Sequence, residues 1–430
     1  MFGPQSNSSV APTTSHRAVI PFYAYAALSF VAATLLLFFS SASFTGHYFQ
    51  PHILAITHLM ALGWGTMLIF GASHQLVPVL IESGLYSVQL ARLAFALAGV
   101  GIPLLAYGFH SFNLGWPAQW GGALVAAAVL VYLVNMAVSI GRSERENVHA
   151  VFVLAASTWL LLTVLLGLAL LFNFTASLFP RNSLHYLSLH AHLGVVGWFL
   201  LLVLGVGSRL IPMFLISKHS DPRLLWWVFI LVNAGLMAFA LGFLFRPGAP
   251  WPGIAAALVT AGLLLFARFC MQAYRKRIRR KVDAQMKLSL LSVALLLLPA
   301  AVLLAVLAAL WTGAGERADL VLLYGFSIFF GWLTAIILGM TFKTLPFIVW
   351  NKVYRHRAAL GRMPNPKDLF KSGLYKAMAG CYLAGFALFA CGIMLPSLLL
   401  LKGGALLLLA TASLYAWNVL WLMNHKPLKP

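Results

Sequence analysis

Residues 62–81 read LGWGTMLIFGASHQLVPVLI, residues 196–216 read VGWFLLLVLGVGSRLIPMFLI, and residues 330–350 read FGWLTAIILGMTFKTLPFIVW. Their Gly-Trp pairs are Gly63-Trp64, Gly197-Trp198 and Gly331-Trp332. Their second glycines are Gly71, Gly205 and Gly339, and their prolines are Pro78, Pro212 and Pro346. Every step between copies is 134 residues. A drift-free interval over most of the chain marks three copies of one structural unit. Differences between copies then show where side chains do more than hold the scaffold. His58 and His192 occupy one repeat position, and Phe326 takes it in the third copy.

Hydrophobic residues make up 62% of the 430 and charged residues 9%, which excludes an ordinary soluble domain. Apolar runs near twenty residues recur throughout, each long enough to cross a bilayer as a helix. Twelve such spans are predicted, at 18–40, 52–81, 91–109, 119–140, 149–172, 186–216, 224–245, 252–272, 288–311, 320–350, 377–395 and 403–424. The motif lies in the second, sixth and tenth spans. The expected fold is an all-α polytopic membrane protein of twelve helices in three four-helix pseudo-repeats, at about 18–147, 148–281 and 282–424. The repeats are parallel, because an even number of spans returns each copy to the same side. Residues 1–17 are polar and read as a flexible cytoplasmic stretch before one membrane domain over 18–430; no small-residue cleavage site follows the first span.

The net charge of +21 is confined to alternate loops: Arg142 and Arg145, Lys218 and Arg223, residues 275–287, residues 352–376, then Lys426 and Lys429. The intervening loops carry Arg181, Arg246, Arg317 and Lys402. This is a positive-inside bias rather than a nucleic-acid surface. It predicts cytoplasmic termini and lipid as the partner of the basic loops. Cys270, Cys381 and Cys391 show no metal or disulfide spacing and read as packing residues.

With that orientation the second, sixth and tenth spans start at the outer face. His47, His52, His58, His110, His185, His190 and His192 all fall at that end, seven of thirteen histidines. An imidazole inside a membrane needs both nitrogens satisfied, and two on repeat-equivalent helices suit haem iron or copper. His58 with His192 is the expected cofactor pair, with His190 and His52 next and His185 as a further metal candidate. His190 and His192 are about 200° apart on a helix, so they cannot share one metal while it stays regular. His185 and His192 share a face but lie about 10 Å apart in rise. Tyr324 is an outer candidate on the tenth span. His74, Arg209 and Lys343, near the inner repeat proline, read as anchors or as the lining of an inner gate. No carboxylate falls in the middle of a predicted span, which predicts a protein that does not pump protons.

The segment THLMALGWGTMLIFGASHQLVPVLI resembles the second helix of subunit I in the haem–copper oxidase and nitric oxide reductase superfamily. On that resemblance His58 corresponds to the low-spin haem ligand. HAHLGVVGWFLLLVLGVGSRLIPMF is similar to the NnrS proteins, a divergent membrane branch linked to nitrosative stress. The resemblance implies b-type haem, with copper as a second cofactor, and a task concerning nitric oxide or another small redox ligand. If the chain is an enzyme, it implies an oxidoreductase, with an electron-donor protein on the outer side. The chain departs from the superfamily where helix 10 has no histidine and helix 7 (LLWWVFILVNAGLMAFALGFLF) no His-His pair, so a complete binuclear centre is not encoded. The alternatives are a non-redox transporter or metal conduit on the same scaffold, or an accessory subunit of a respiratory complex.

Overall fold

The computed structural model describes residues 14–143, 147–246, 250–313, 315–354 and 363–427. Within these, twelve helices are long and apolar enough to cross a membrane, and the chain is a multi-pass membrane protein. They are α1 (His16–Phe39), α2 (Pro51–Leu80), α3 (Val88–His110), α4 (Trp116–Gly141), α5 (Val148–Ala176) and α6 (Ser183–Leu215). The second half holds α7 (Pro222–Phe245), α8 (Trp251–Arg275), α9 (Ala284–Trp311), α10 (Ala318–Tyr354), α11 (Ser372–Met394) and α12 (Leu398–Met423). Most of the predicted N-terminal stretch, residues 1–13, lies outside the described residues; helix α1 already begins at His16.

The repeat motif marks the centre. The apolar stretches of α2, α6 and α10 are 72%, 61% and 67% buried, against 28–44% for the other nine helices. Around them the copies close into a ring: α4 packs on α5, α8 on α9, and α12 back on α1. The repeat glycines serve helix approach rather than a flat ligand. A Cβ at Gly71 would lie 2.6 Å from Phe22 of α1, one at Gly205 2.3 Å from Phe152 of α5, and one at Gly339 2.2 Å from Ser289 of α9. In each copy the second helix is therefore pressed onto the first.

Each central helix also widens into a π-helical segment at one repeat position: Leu59–Thr66, Leu193–Leu200 and Ser327–Leu333. The Gly-Trp pair lies inside it, and the tryptophans Trp64, Trp198 and Trp332 are among the most buried side chains. Trp64 Nε1 donates to Thr334 Oγ1 at 3.2 Å, and Trp198 Nε1 to Thr66 Oγ1 at 3.0 Å. The bonds run from copy one to copy three and from copy two to copy one. The third would run from Trp332 to copy two, where the repeat position is Leu200, and Trp332 Nε1 has no partner among the described residues.

At the basic end, the start of α1, α5 and α9 is tied to the inner part of α2, α6 and α10 by a different bond in each copy. Thr14 Oγ1 donates to the His74 carbonyl at 2.6 Å. His149 Nδ1 lies 2.8 Å from Ser208 Oγ. Asp283, which also caps α9 by accepting from Met286 N–H at 3.1 Å, is ion-paired with Lys343. The repeat prolines lie in the last two turns of α2 and α6, whereas α10 continues from Pro346 to Tyr354.

Candidate functional site

The histidine-bearing end holds a cavity of about 310 Å³, bounded chiefly by α2, α5, α6 and α10. Its walls are mainly apolar, with Leu62, Leu160, Val195 and Phe329 among them, and both His58 and His190 face it. Their rings stand 6.4 Å apart between centroids, inclined at 20°. His58 Nδ1 lies 2.8 Å from the Leu54 carbonyl, one helical turn back, just before the π-helical segment begins. His190 Nδ1 lies 3.1 Å from the Thr163 carbonyl of α5. A carbonyl can only accept, so in both rings Nδ1 carries the proton and Nε2 presents a lone pair. The approach of His190 to α5 depends on Gly167, where a Cβ would come within 2.7 Å of His190 Cε1.

The structure thus brings His190, rather than His192, against His58. The reason is rotational symmetry. Equivalent positions on three helices around one axis do not face each other; position i of one copy meets a different position j of the next. Here His58 of copy one meets His190 of copy two. One step on, His192 of copy two meets Tyr324 of copy three, at 3.3 Å between Nε2 and the phenol oxygen. His190 and Tyr324 occupy one repeat position, as do His58 and His192. The third junction would pair Phe326 with Ile56, both buried and apolar. The 134-residue step already aligned His190 with Tyr324, so this signal was present in the sequence.

The remaining expected ligands are dispersed. His192 Nδ1 is held by the Ser188 carbonyl at 2.7 Å, and its ring packs on Phe239. His185 packs between Tyr186 and Phe243. His52 faces His110 at the rim, 5.2 Å between centroids. The five histidines expected to hold metal do not converge, and among the described residues no three His, Cys, Asp or Glu side chains do. The residues expected at an inner gate are dispersed too. His74 is buried against Phe22 and Tyr132, Arg209 is exposed, and Lys343 is taken by Asp283.

Two imidazoles with Nδ1 anchored and Nε2 free are a donor set for a planar metal macrocycle between them. A metal–imidazole bond of about 2.0 Å plus roughly 1.1 Å from nitrogen to ring centre would put two ring centroids on opposite sides of one ion about 6.2 Å apart. The observed 6.4 Å leaves room for an ion between the rings.

No protein-family model matches the chain. No curated protein matches it either. Among solved structures, it superposes on a chain from "Cryo-EM structure of a heme-copper terminal oxidase dimer provides insights into its catalytic mechanism" with a TM-score of 0.72 and 11% identity, covering 96% of this chain and 85% of that one. At that identity the likeness establishes the fold: twelve helices arranged as in a haem–copper oxidase chain.

Proposed function

We propose that this protein is a haem-binding redox protein of the membrane, in which His58 and His190 hold a b-type haem between α2 and α6. The observation that carries the reading is the pair itself: two rings 6.4 Å apart, each with Nδ1 on a backbone carbonyl, facing one cavity. Bound there, haem would supply one-electron redox chemistry. The protein's part is to fix both imidazoles in the ligating tautomer, to exclude water with the aliphatic wall of Leu62, Leu160 and Val195, and to stack Phe109 on His58 at 4.3 Å. In this reading the expected pair His58 and His192 gives way to His58 and His190, while the haem assignment stays.

Two imidazoles holding one haem would suit it to electron transfer. Nitric oxide or another small redox ligand, in an NnrS-like role in nitrosative stress, is the task this reading assigns to the site. Copper beside the haem, an electron donor at the histidine-bearing end and a bacterial inner-membrane location belong to the same proposal. The test is an oxidised and dithionite-reduced absorption spectrum of the purified protein with His58→Ala, His190→Ala and His192→Ala. The expected result is a Soret band with sharp reduced α-bands, lost in the first two variants and kept in the third. A colourless wild-type protein made with ample haem overturns the reading and leaves the transporter or accessory subunit.

A further inference from the structure

We propose that His52 and His110 form a metal-binding site at the rim of the bundle, for a divalent transition-metal ion that favours imidazole. The two residues come from the first turn of α2 and the last residue of α3, and α3 ends there. Their ring centroids are 5.2 Å apart with planes at 60°. Two imidazoles on one tetrahedral ion, with the same bond lengths as above, stand about 5.1 Å apart, well short of the spacing at His58 and His190. The two pairs therefore differ in spacing, 5.2 Å here against 6.4 Å at His58 and His190.

The hydrogen bonding agrees. His52 Nδ1 lies 3.3 Å from Ser43 Oγ, and in the tautomer in which Nδ1 donates to it, Nε2 is the free donor atom. Nearby His47 is unsuited: it accepts the Phe49 N–H on Nδ1 at 3.0 Å, so its Nε2 carries the proton. His110 is exposed, so water can complete the coordination shell and the ion can exchange with solvent. Such a pair binds Cu²⁺ and Zn²⁺ above Mn²⁺, and the tetrahedral spacing suits Zn²⁺, since Cu²⁺ prefers a tetragonal shell. Phe109, the neighbour of His110, stacks on His58 at 4.3 Å, so an ion here would brace the end of α3 beside the cavity. The site stands whether or not haem occupies that cavity.

The experiment is equilibrium dialysis of the purified protein against Cu²⁺ and, separately, Zn²⁺, with electron paramagnetic resonance of the Cu²⁺ form. Expected is one ion per chain with hyperfine coupling to two nitrogens. His52→Ala and His110→Ala should each weaken binding at least tenfold, Ser43→Ala by less, and His47→Ala not at all. The Soret spectrum of each variant, or its circular dichroism if colourless, verifies folding. Binding that survives both His52→Ala and His110→Ala, or a Cu²⁺ signal with one nitrogen, overturns the site. A wild-type protein without a Soret band but with intact Cu²⁺ binding refutes the haem reading alone.

Discussion

A hydrogen bond from one imidazole nitrogen fixes the tautomer in which the other can ligate a metal, and in His58, His190 and His192 that bond goes to a backbone carbonyl. What then distinguishes the three is the partner of Nε2. Tyr324 offers its hydroxyl to His192 at 3.3 Å, and a ring accepting that proton is engaged, whereas the other two face the cavity. Tyr324→Phe should cost about 1 kcal/mol of stability and leave any haem spectrum unchanged, as read by thermal melting and absorption. Gly167 gives a sharper test. Its Cβ in Gly167→Ala would stand 2.7 Å from His190 Cε1 and 3.2 Å from Nδ1, so the ring must leave Thr163. Overpacking of that kind costs roughly 1–3 kcal/mol, enough to lower haem content several-fold. Gly380→Ala, where a Cβ meets nothing, is the matched control; equal haem content in both variants would refute the placement of His190.

The elements were read at different depths from the sequence. Span count and the repeat unit follow from apolar run length and the drift-free step, and twelve spans are found; the central place of α2, α6 and α10 emerges only from their burial in the structure. The π-helical segments left no local signal, because a widened turn preserves the apolar pattern while shifting the faces beyond it. Facing pairs were hidden for a related reason: a period identifies equivalent positions, not opposed ones. The Trp–Thr bonds make the point quantitative. Trp64→Phe and Trp198→Phe each leave a buried threonine without its donor, while Trp332→Phe removes an N–H that has no partner. Denaturation in detergent should show Trp332→Phe less costly than the other two by about 1 kcal/mol. A second contrast concerns acid. Burial pushes the Asp283 carboxyl up, but hydrogen bonds from Lys343 and Met286 N–H, with the charges of Lys343 and Arg279, outweigh it and hold the group below its ordinary 3.8. A folded-state value below the unfolded one stabilises the protein above the unfolded value, and the gain is lost as pH falls through the folded one. Asp283→Asn should therefore cost about 1–3 kcal/mol at neutral pH and flatten the fall in melting temperature below about pH 4. An unchanged acid limb would remove the ion pair from the stability of α9 and α10.

At the scale of the molecule the three junctions form a graded series: two histidines, then histidine with tyrosine, then two apolar side chains. One scaffold thus offers one junction of two imidazoles, placed at a single end of the bundle. Which side of the membrane that end faces decides what donor or ligand can reach it, and the charges argue the case. Of the four cations in the loops at the histidine-bearing end, two are engaged. Arg317 makes two hydrogen bonds to Asp319, at 3.0 and 2.6 Å, and Lys402 donates to the Phe38 carbonyl at 3.0 Å. The opposite end carries the exposed run Arg275, Lys276, Arg279, Arg280 and Lys281, with Arg279 near Asp283. Free positive charge is thus still more one-sided than residue counts indicate, and cations within short loops set orientation. Twelve crossings put both ends of the membrane domain on the basic side. A fluorescent protein fused to the C-terminus should glow, since it matures in the cytoplasm, and alkaline phosphatase fused there should be inactive, since it needs the exported side. The reverse pair of outcomes would turn the histidine-bearing end toward the cytoplasm, and with it the compartment from which, on the proposed reading, the His58–His190 junction and the His52–His110 rim would draw their electrons and ions.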